Sequence, residues 1–357
     1  MTSYGELLLQ GPRGRRLCLE LAMELDDDVR SAAFWWRFGN GKTVGSHTVL
    51  LSTSSSYGET ASRPDAPSDE DVAGLLAAIH PTGFGVQAIQ SALDRSVDAA
   101  MYWQEPDEGD RLTAIPVVSL ALENIAQQLI RIPEIQWWWQ PRGIEQWAID
   151  WRSPGDPAPL PRNTQQKLAE WGRNTRAEEA RSQIDRPADP TANIGGTWWS
   201  IPLGLVKTVG RVPAGLTLVE DSLGWEHATT IPVRGIGQTL EIRTAEDWIE
   251  LCRQFPLDVT ASRRHDWYRV SGRGEGRWVI PDWERVAGTW DAVHLTVMGY
   301  LNAAARALDL DDQTATVLAG WDPDSTIWLT DVAREWEGPR QHWTRESNRD
   351  RWALATQ

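Results

Sequence analysis

Thr239-Leu240-Glu241-Ile242-Arg243-Thr244-Ala245-Glu246-Asp247-Trp248-Ile249-Glu250-Leu251-Cys252-Arg253-Gln254-Phe255-Pro256 sets a strand directly before a helix. Thr239 to Arg243 reads as a short β-like run. Thr244 with Asp247 three residues later makes a capping-box pattern; Trp248, Ile249, Leu251 and Cys252 follow as apolar residues, and Pro256 stops the helix. Around this pair stand further β-like runs at Leu216 to Glu220, Thr229 to Arg234, Trp278 to Pro281 and Thr326 to Thr330, with a second helix expected after Gly299, through Tyr300 to Leu308. Strands with scattered helices imply an α+β fold rather than the regular βα alternation of a doubly wound sheet.

Working outward, residues 1–62 read as strand-rich, with Glu6 to Leu9, Arg16 to Ala22 and His47 to Thr53 as apolar or alternating runs, and 52–67 as an exposed loop. From Asp69 the period becomes helical, through Val72, Leu75, Leu76 and Ile79, and again through Val86, Ile89, Leu93, Val97 and Met101. A third helix is expected over Val117 to Arg131, and strand plus turn over Ile135 to Trp151. Residues 163–184 are polar and helix-prone with a thin apolar stripe, preceded by a Pro-rich stretch. The expected organisation is two domains: a mixed strand/helix module over 1–151, a linker over 152–193, and a strand-rich unit over 194–357.

Composition narrows the function classes. The chain has 357 residues and a net charge of −15, with 50 acidic against 35 basic side chains, which opposes nucleic-acid binding through a basic face. No apolar run approaches the roughly 18 residues of a membrane span, and the N-terminus lacks a secretory pattern, so a cytoplasmic protein is expected. Cys18 and Cys252 imply neither a disulfide framework nor a cysteine zinc site. Tryptophan occurs 22 times against four Phe and five Tyr. Each buried indole N–H needs an acceptor, so the excess implies a Trp-lined cleft or many half-buried boundary positions.

Several constellations have chemistry in them. Gly39-Asn40-Gly41-Lys42-Thr43 ends like a phosphate-binding loop, but Trp36 occupies the place of its first glycine, and a hairpin turn is expected there. Ser222 with Asp291 and His294 imitates a GDSL-type serine hydrolase, although Glu220 replaces the glycine of the nucleophile turn; otherwise His294 is a buried, hydrogen-bonded histidine on a strand. The six histidines show no metal-ligand spacing, so no metal is expected. Ser262 to Arg269 is the densest mixture of basic, aromatic and acidic residues. It reads either as a binding tract using Trp267 and Tyr268 or as a salt-bridged strand edge.

Gly195-Gly196-Thr197-Trp198-Trp199-Ser200-Ile201-Pro202, Asp282-Trp283, Trp290 to Thr296 and Gly320-Trp321-Asp322-Pro323-Asp324-Ser325-Thr326-Ile327-Trp328-Leu329 resemble segments that recur in this order in a group of Trp-rich actinobacterial and actinophage proteins. Those proteins look similar to the ADP-ribosyltransferase fold, and the resemblance covers residues 194–332. It implies NAD as cofactor, Trp198 and Trp199 as the wall for the nicotinamide, Ser200 as the serine of a strand motif, and Asp322 or Asp324 as the late carboxylate. The family's usual residue at that last position is glutamate. The alternative from the residues themselves is a non-catalytic interaction module whose Trp-lined cleft recognises a small molecule or a protein partner, with the oligomeric state left open.

Overall fold

Leu17-Cys18-Leu19 and Leu21-Ala22 are almost unbroken apolar sequence, which fits a buried strand and a buried helix equally well. In the computed structural model, which describes residues 3–40, 65–80, 83–156, 158–220, 222–346 and 351–355, this stretch is the middle of the Pro12–Leu25 helix. Pro12 starts that helix where a missing N–H costs nothing. The expected strands at Glu6 to Leu9 and Arg16 to Ala22 therefore lie in helices, Tyr4–Gln10 and Pro12–Leu25, and a further helix, Asp27–Asn40, follows them. The Pro12–Leu25 helix is buried nearly all round, including Arg13, Arg16 and Glu20, so no polar face marks its period. Gly39 and Asn40 end a helix rather than forming a hairpin, while Gly41 to Thr43 and His47 to Thr53 lie outside the described residues.

The helices expected after Asp69 are present as Asp69–Ala78 and Val86–Asp98, the first opened by a capping box between Ser68 and Asp71. The expected Val117 to Arg131 helix is broken at Leu122 into Pro116–Ala121 and Glu123–Leu129. The Trp triplet lies in a 3₁₀ turn, Pro133–Trp139, rather than in a strand. Thr164–Asp185 is a single helix of 22 residues, as its propensity suggested.

The strands, in chain order, are β1 (Glu145–Asp150), β2 (Lys207–Val209), β3 (His227–Gly235), β4 (Thr239–Ile242), β5 (Pro256–Asp258), β6 (Arg277–Pro281), β7 (Ala292–Leu295), β8 (Leu308–Asp309), β9 (Thr314–Thr316), β10 (Ser325–Trp328), β11 (Ala333–Glu335), β12 (Gln341–Glu346) and β13 (Arg351–Leu354). The large sheet has the order β13-β12-β3-β1-β2-β10-β7-β4, with β11 also on β3; the small one runs β5-β6-β9-β8. The large sheet is antiparallel except between β4 and β7. The fold class is thus mixed helix and sheet.

The opening stretch folds as read. Thr244 caps the Ala245–Gln254 helix, its hydroxyl accepting from the Asp247 N–H while the Asp247 carboxylate accepts from the Thr244 N–H. Leu216 to Glu220, expected as a strand, is a short helix, Ala214–Thr217, and a loop. The Ser262 to Arg269 tract is also not a strand edge, because it lies in the Thr260–Ser271 helix.

The core continues across the expected linker. β1, from the first segment, pairs between β3 and β2 of the last one. Asn302 joins the same two segments, donating to the Leu7 carbonyl (2.6 Å) and accepting from the Ala245 N–H (2.7 Å). One hydrophobic cluster runs from Leu8 and Leu17 through Trp138 to Trp248, Trp283 and Trp321, the last three in mutual ring contact.

Candidate binding cleft

The loop between the Thr164–Asp185 helix and β2 carries Trp198 and Trp199, and Ser200 fixes it. Ser200 is fully buried; its hydroxyl donates to the Ala319 carbonyl and accepts from the Ala319 N–H, both at 3.0 Å, and its own carbonyl accepts from Trp283 Nε1 at 2.9 Å. This places the two indoles against the Gly320 turn. Gly320 has φ +75°, and a Cβ there would lie 2.2 Å from the Trp199 ring, so glycine is required twice over, by backbone and by space. Ser200 is therefore a structural clamp in a loop rather than a residue of a strand motif.

On the far wall, Trp151 follows β1 and Trp225 precedes β3. Their pairing sets Asp150 opposite Thr229, and the two indoles stack with centroids 4.6 Å apart. Trp151, Trp198, Trp199 and Trp225 together border one cleft of about 510 Å³, whose polar groups include Lys207, Glu220 and Asp322. Trp198 also stacks on Tyr102 (5.2 Å) and on Trp199 (4.6 Å), so the wall is three rings deep.

The polar floor is connected. Asp322 accepts from the Glu220 N–H at 3.0 Å and pairs with the Lys207 ammonium. Glu220 itself is 7% exposed, and Tyr102 donates its hydroxyl to Glu220 Oε1 at 2.5 Å. Burial first, and the neighbouring Asp322 second, push the Glu220 carboxyl up to about 8 against the relief given by the tyrosine and Lys207. A carboxyl raised in this way beside a paired carboxylate makes a combination able to donate one proton and to hold one charge.

The other expected site residues are placed elsewhere. Asp324, in left-handed conformation with φ 54°, lies 3.6 Å from His294 Nε2 and does not border the cleft. His294 is buried on β7, and its Nδ1 meets Glu241 of β4 at 2.6 Å. Burial opposes its charge, but the Asp324 and Glu241 carboxylates outweigh burial and raise its pKa. Trp267 is fully buried behind the wall, donating Nε1–H to the Trp198 carbonyl at 3.0 Å and packing edge-on against Trp278. Tyr268, next to it in the same helix, is half-buried and is not among the residues bordering the cleft.

The serine–histidine–aspartate constellation is not assembled among the described residues. Ser222 accepts from the Gly224 N–H, Asp291 is engaged by Gln238 and Thr330, and His294 is held by Glu241. Among the described residues no group of three or more His, Cys, Asp or Glu side chains suits a metal ion, and no helix is long and apolar enough to cross a membrane.

Sequence reasoning singled out Trp198, Trp199 and Asp322, and these do meet. It missed Glu220, Lys207, Tyr102, Trp151 and Trp225, whose separation in sequence carries no spacing signal. The rarity of lysine and tyrosine was the one available hint. The chain matches no family model, no curated protein and no solved structure.

Proposed function

We propose that the chain is a small-molecule-binding protein whose Trp-lined cleft takes a flat, ring-bearing ligand. The ring lies against indole faces, and its polar group reaches the Lys207–Asp322 pair and Glu220. The observation that carries this reading is the convergence of four indoles and a connected polar floor in one cleft of about 510 Å³. An apolar lining with a few convergent polar groups, one of them with a displaced pKa, is the usual make-up of a ligand site. Two buried free cysteines favour a reducing compartment, the cytoplasm.

A second reading, NAD-dependent transfer, is favoured by one observation: Asp322 stands in the same cleft as Trp198 and Trp199. Against it weighs charge. The cleft offers the dinucleotide's phosphates one ammonium, Lys207, already paired to Asp322.

The test is a titration of the full chain with nicotinamide and with NAD, read by tryptophan fluorescence and calorimetry. Saturable nicotinamide binding that weakens about tenfold in Trp199→Ala, with the far-UV spectrum unchanged, is expected from the loss of one stacking face. Binding of NAD much tighter than nicotinamide, with nicotinamide released, is the result that selects the transfer reading. No saturation by either ligand overturns the cleft as a ring-binding site.

A further inference from the structure

The charges around Glu220 do not cancel. Tyr102, in the loop that follows the Val86–Asp98 helix, faces it, as do Tyr300 of the Val297–Ala303 helix, Asp322 of the Gly320 turn and Lys207 of β2. Arg13 of the Pro12–Leu25 helix acts on both tyrosines. Of the two cations, Lys207 is taken by Asp322, and Arg13 by Asp110 and the Ser96 carbonyl. The remaining carboxylate at the cleft, Asp150, has its own partner in Arg152. Glu220 is therefore the one cleft carboxyl without a counter-ion among the described residues. Its Oε2 and the Tyr300 hydroxyl are buried facing each other, and this second tyrosine, like Tyr102, favours the carboxylate without supplying a positive charge.

The indoles point the same way. Elsewhere this chain covers tryptophan faces with its own guanidinium groups: Arg142 stands 4.7 Å over Trp328, Arg211 4.8 Å over Trp137 and Arg234 3.7 Å over Trp336. Among the described residues no arginine or lysine stands over Trp151, Trp198, Trp199 or Trp225. Their ring contacts are with other aromatic rings, Tyr102 among them, and an indole face carries the negative side of the ring quadrupole, which attracts a cation most strongly where water is partly excluded.

Resting on the reading of the cleft as a ring-binding site, we propose that its ligand is an organic cation and that Glu220 supplies the counter-ion. Binding then converts the Glu220 carboxylic acid to carboxylate and passes its proton to solvent, so that one positive charge enters and one leaves. A buried carboxylate without a partner is costly, and the ligand's charge removes that cost. The Tyr102 hydroxyl links the two events, because its ring stacks on Trp198 while its oxygen holds Glu220.

1-Methylnicotinamide, methylated on the ring nitrogen, and nicotinamide, one ring with and without a positive charge, are the probes. At pH 9 the cation is expected to bind at least about tenfold more tightly than nicotinamide. Between pH 9 and pH 7 the cation's affinity should fall about tenfold, as the ionised fraction of a group with pKa near 8 does, while that of nicotinamide stays level. Glu220→Gln, with its far-UV spectrum unchanged, should abolish both the preference and the slope. On the unaltered protein, calorimetry at pH 7 in phosphate and in Tris should show close to one proton released per cation bound. Equal affinities with no proton released overturn the cation inference and leave the cleft reading standing. Failure of both probes to saturate overturns the two together.

Discussion

Two of the buried charged clusters in this molecule are built on opposite terms. In the helical layer, Arg13 pairs with Asp110, Arg16 donates to Glu20 (2.7 Å) and Asp107 (2.7 Å), and Arg95 donates to Glu20 (2.7 Å), so every carboxylate has a guanidinium. At the cleft, Glu220 has two tyrosines and a second carboxylate for company. The first cluster is closed and holds three helices and a loop in register. The second is left one positive charge short, next to the Trp-lined cleft. A complete network is what structure alone asks for, and an incomplete one beside a cavity is where a ligand's charge fits.

The sharpest way to break that contrast is to open the closed cluster. Asp110→Ala leaves Arg13, which is fully buried, without its carboxylate and should lower stability by about 3–5 kcal/mol in urea unfolding. A loss under about 1 kcal/mol would mean that the helical network is not what holds this layer.

The same experiment on Glu220 should have the opposite sign. Its folded pKa is raised, so between its usual value near 4.5 and about 8 the folded chain binds the extra proton, and stability falls as pH rises through that window. Glu220→Gln removes the dependence: equal to the unaltered chain near pH 4, it should be more stable at pH 9 by about 4–5 kcal/mol. Parallel pH profiles of the two proteins would place Glu220 in a closed network like the first.

A smaller effect separates the cleft from the histidine beside it. The raised pKa of His294 means that its stabilising charge is fully present below its usual value and is lost as pH rises through the folded value. His294→Gln should therefore cost about 1–2 kcal/mol at pH 6 and less at pH 9, without altering ring-ligand affinity. Smallest of all, Ser222→Ala should change stability by less than about 0.5 kcal/mol, since the side chain is exposed and accepts one long bond.

How much of this was legible in the sequence differs between the same two regions. Around the large sheet, local chemistry decides local structure. The capping box at Thr244, the alternation at Thr239 to Ile242 and the stop at Pro256 all reappear in place. In the first forty residues it does not, because burying Arg13, Arg16 and Glu20 against partners some 75 to 97 residues away erases the polar stripe that would mark a helix. The site divides in the same way. Trp198, Trp199 and Asp322 were visible as a motif and converge on the cleft. Asp324, two residues beyond Asp322 and in the left-handed conformation, stands against His294 instead. Glu220 was hidden altogether: its acidity depends on Tyr102, Asp322 and a wall of indoles that only tertiary packing brings to it.

The most direct test of the account is an infrared difference spectrum of the full chain against Glu220→Gln, taken at pH 7 and again at pH 10. Glu220 is expected to give the carbonyl stretch of a protonated, buried carboxylic acid at pH 7, absent from the variant and replaced by a carboxylate band at pH 10. A carboxylate band for Glu220 already at pH 7 would contradict it, showing that the cleft supplies a counter-ion of its own.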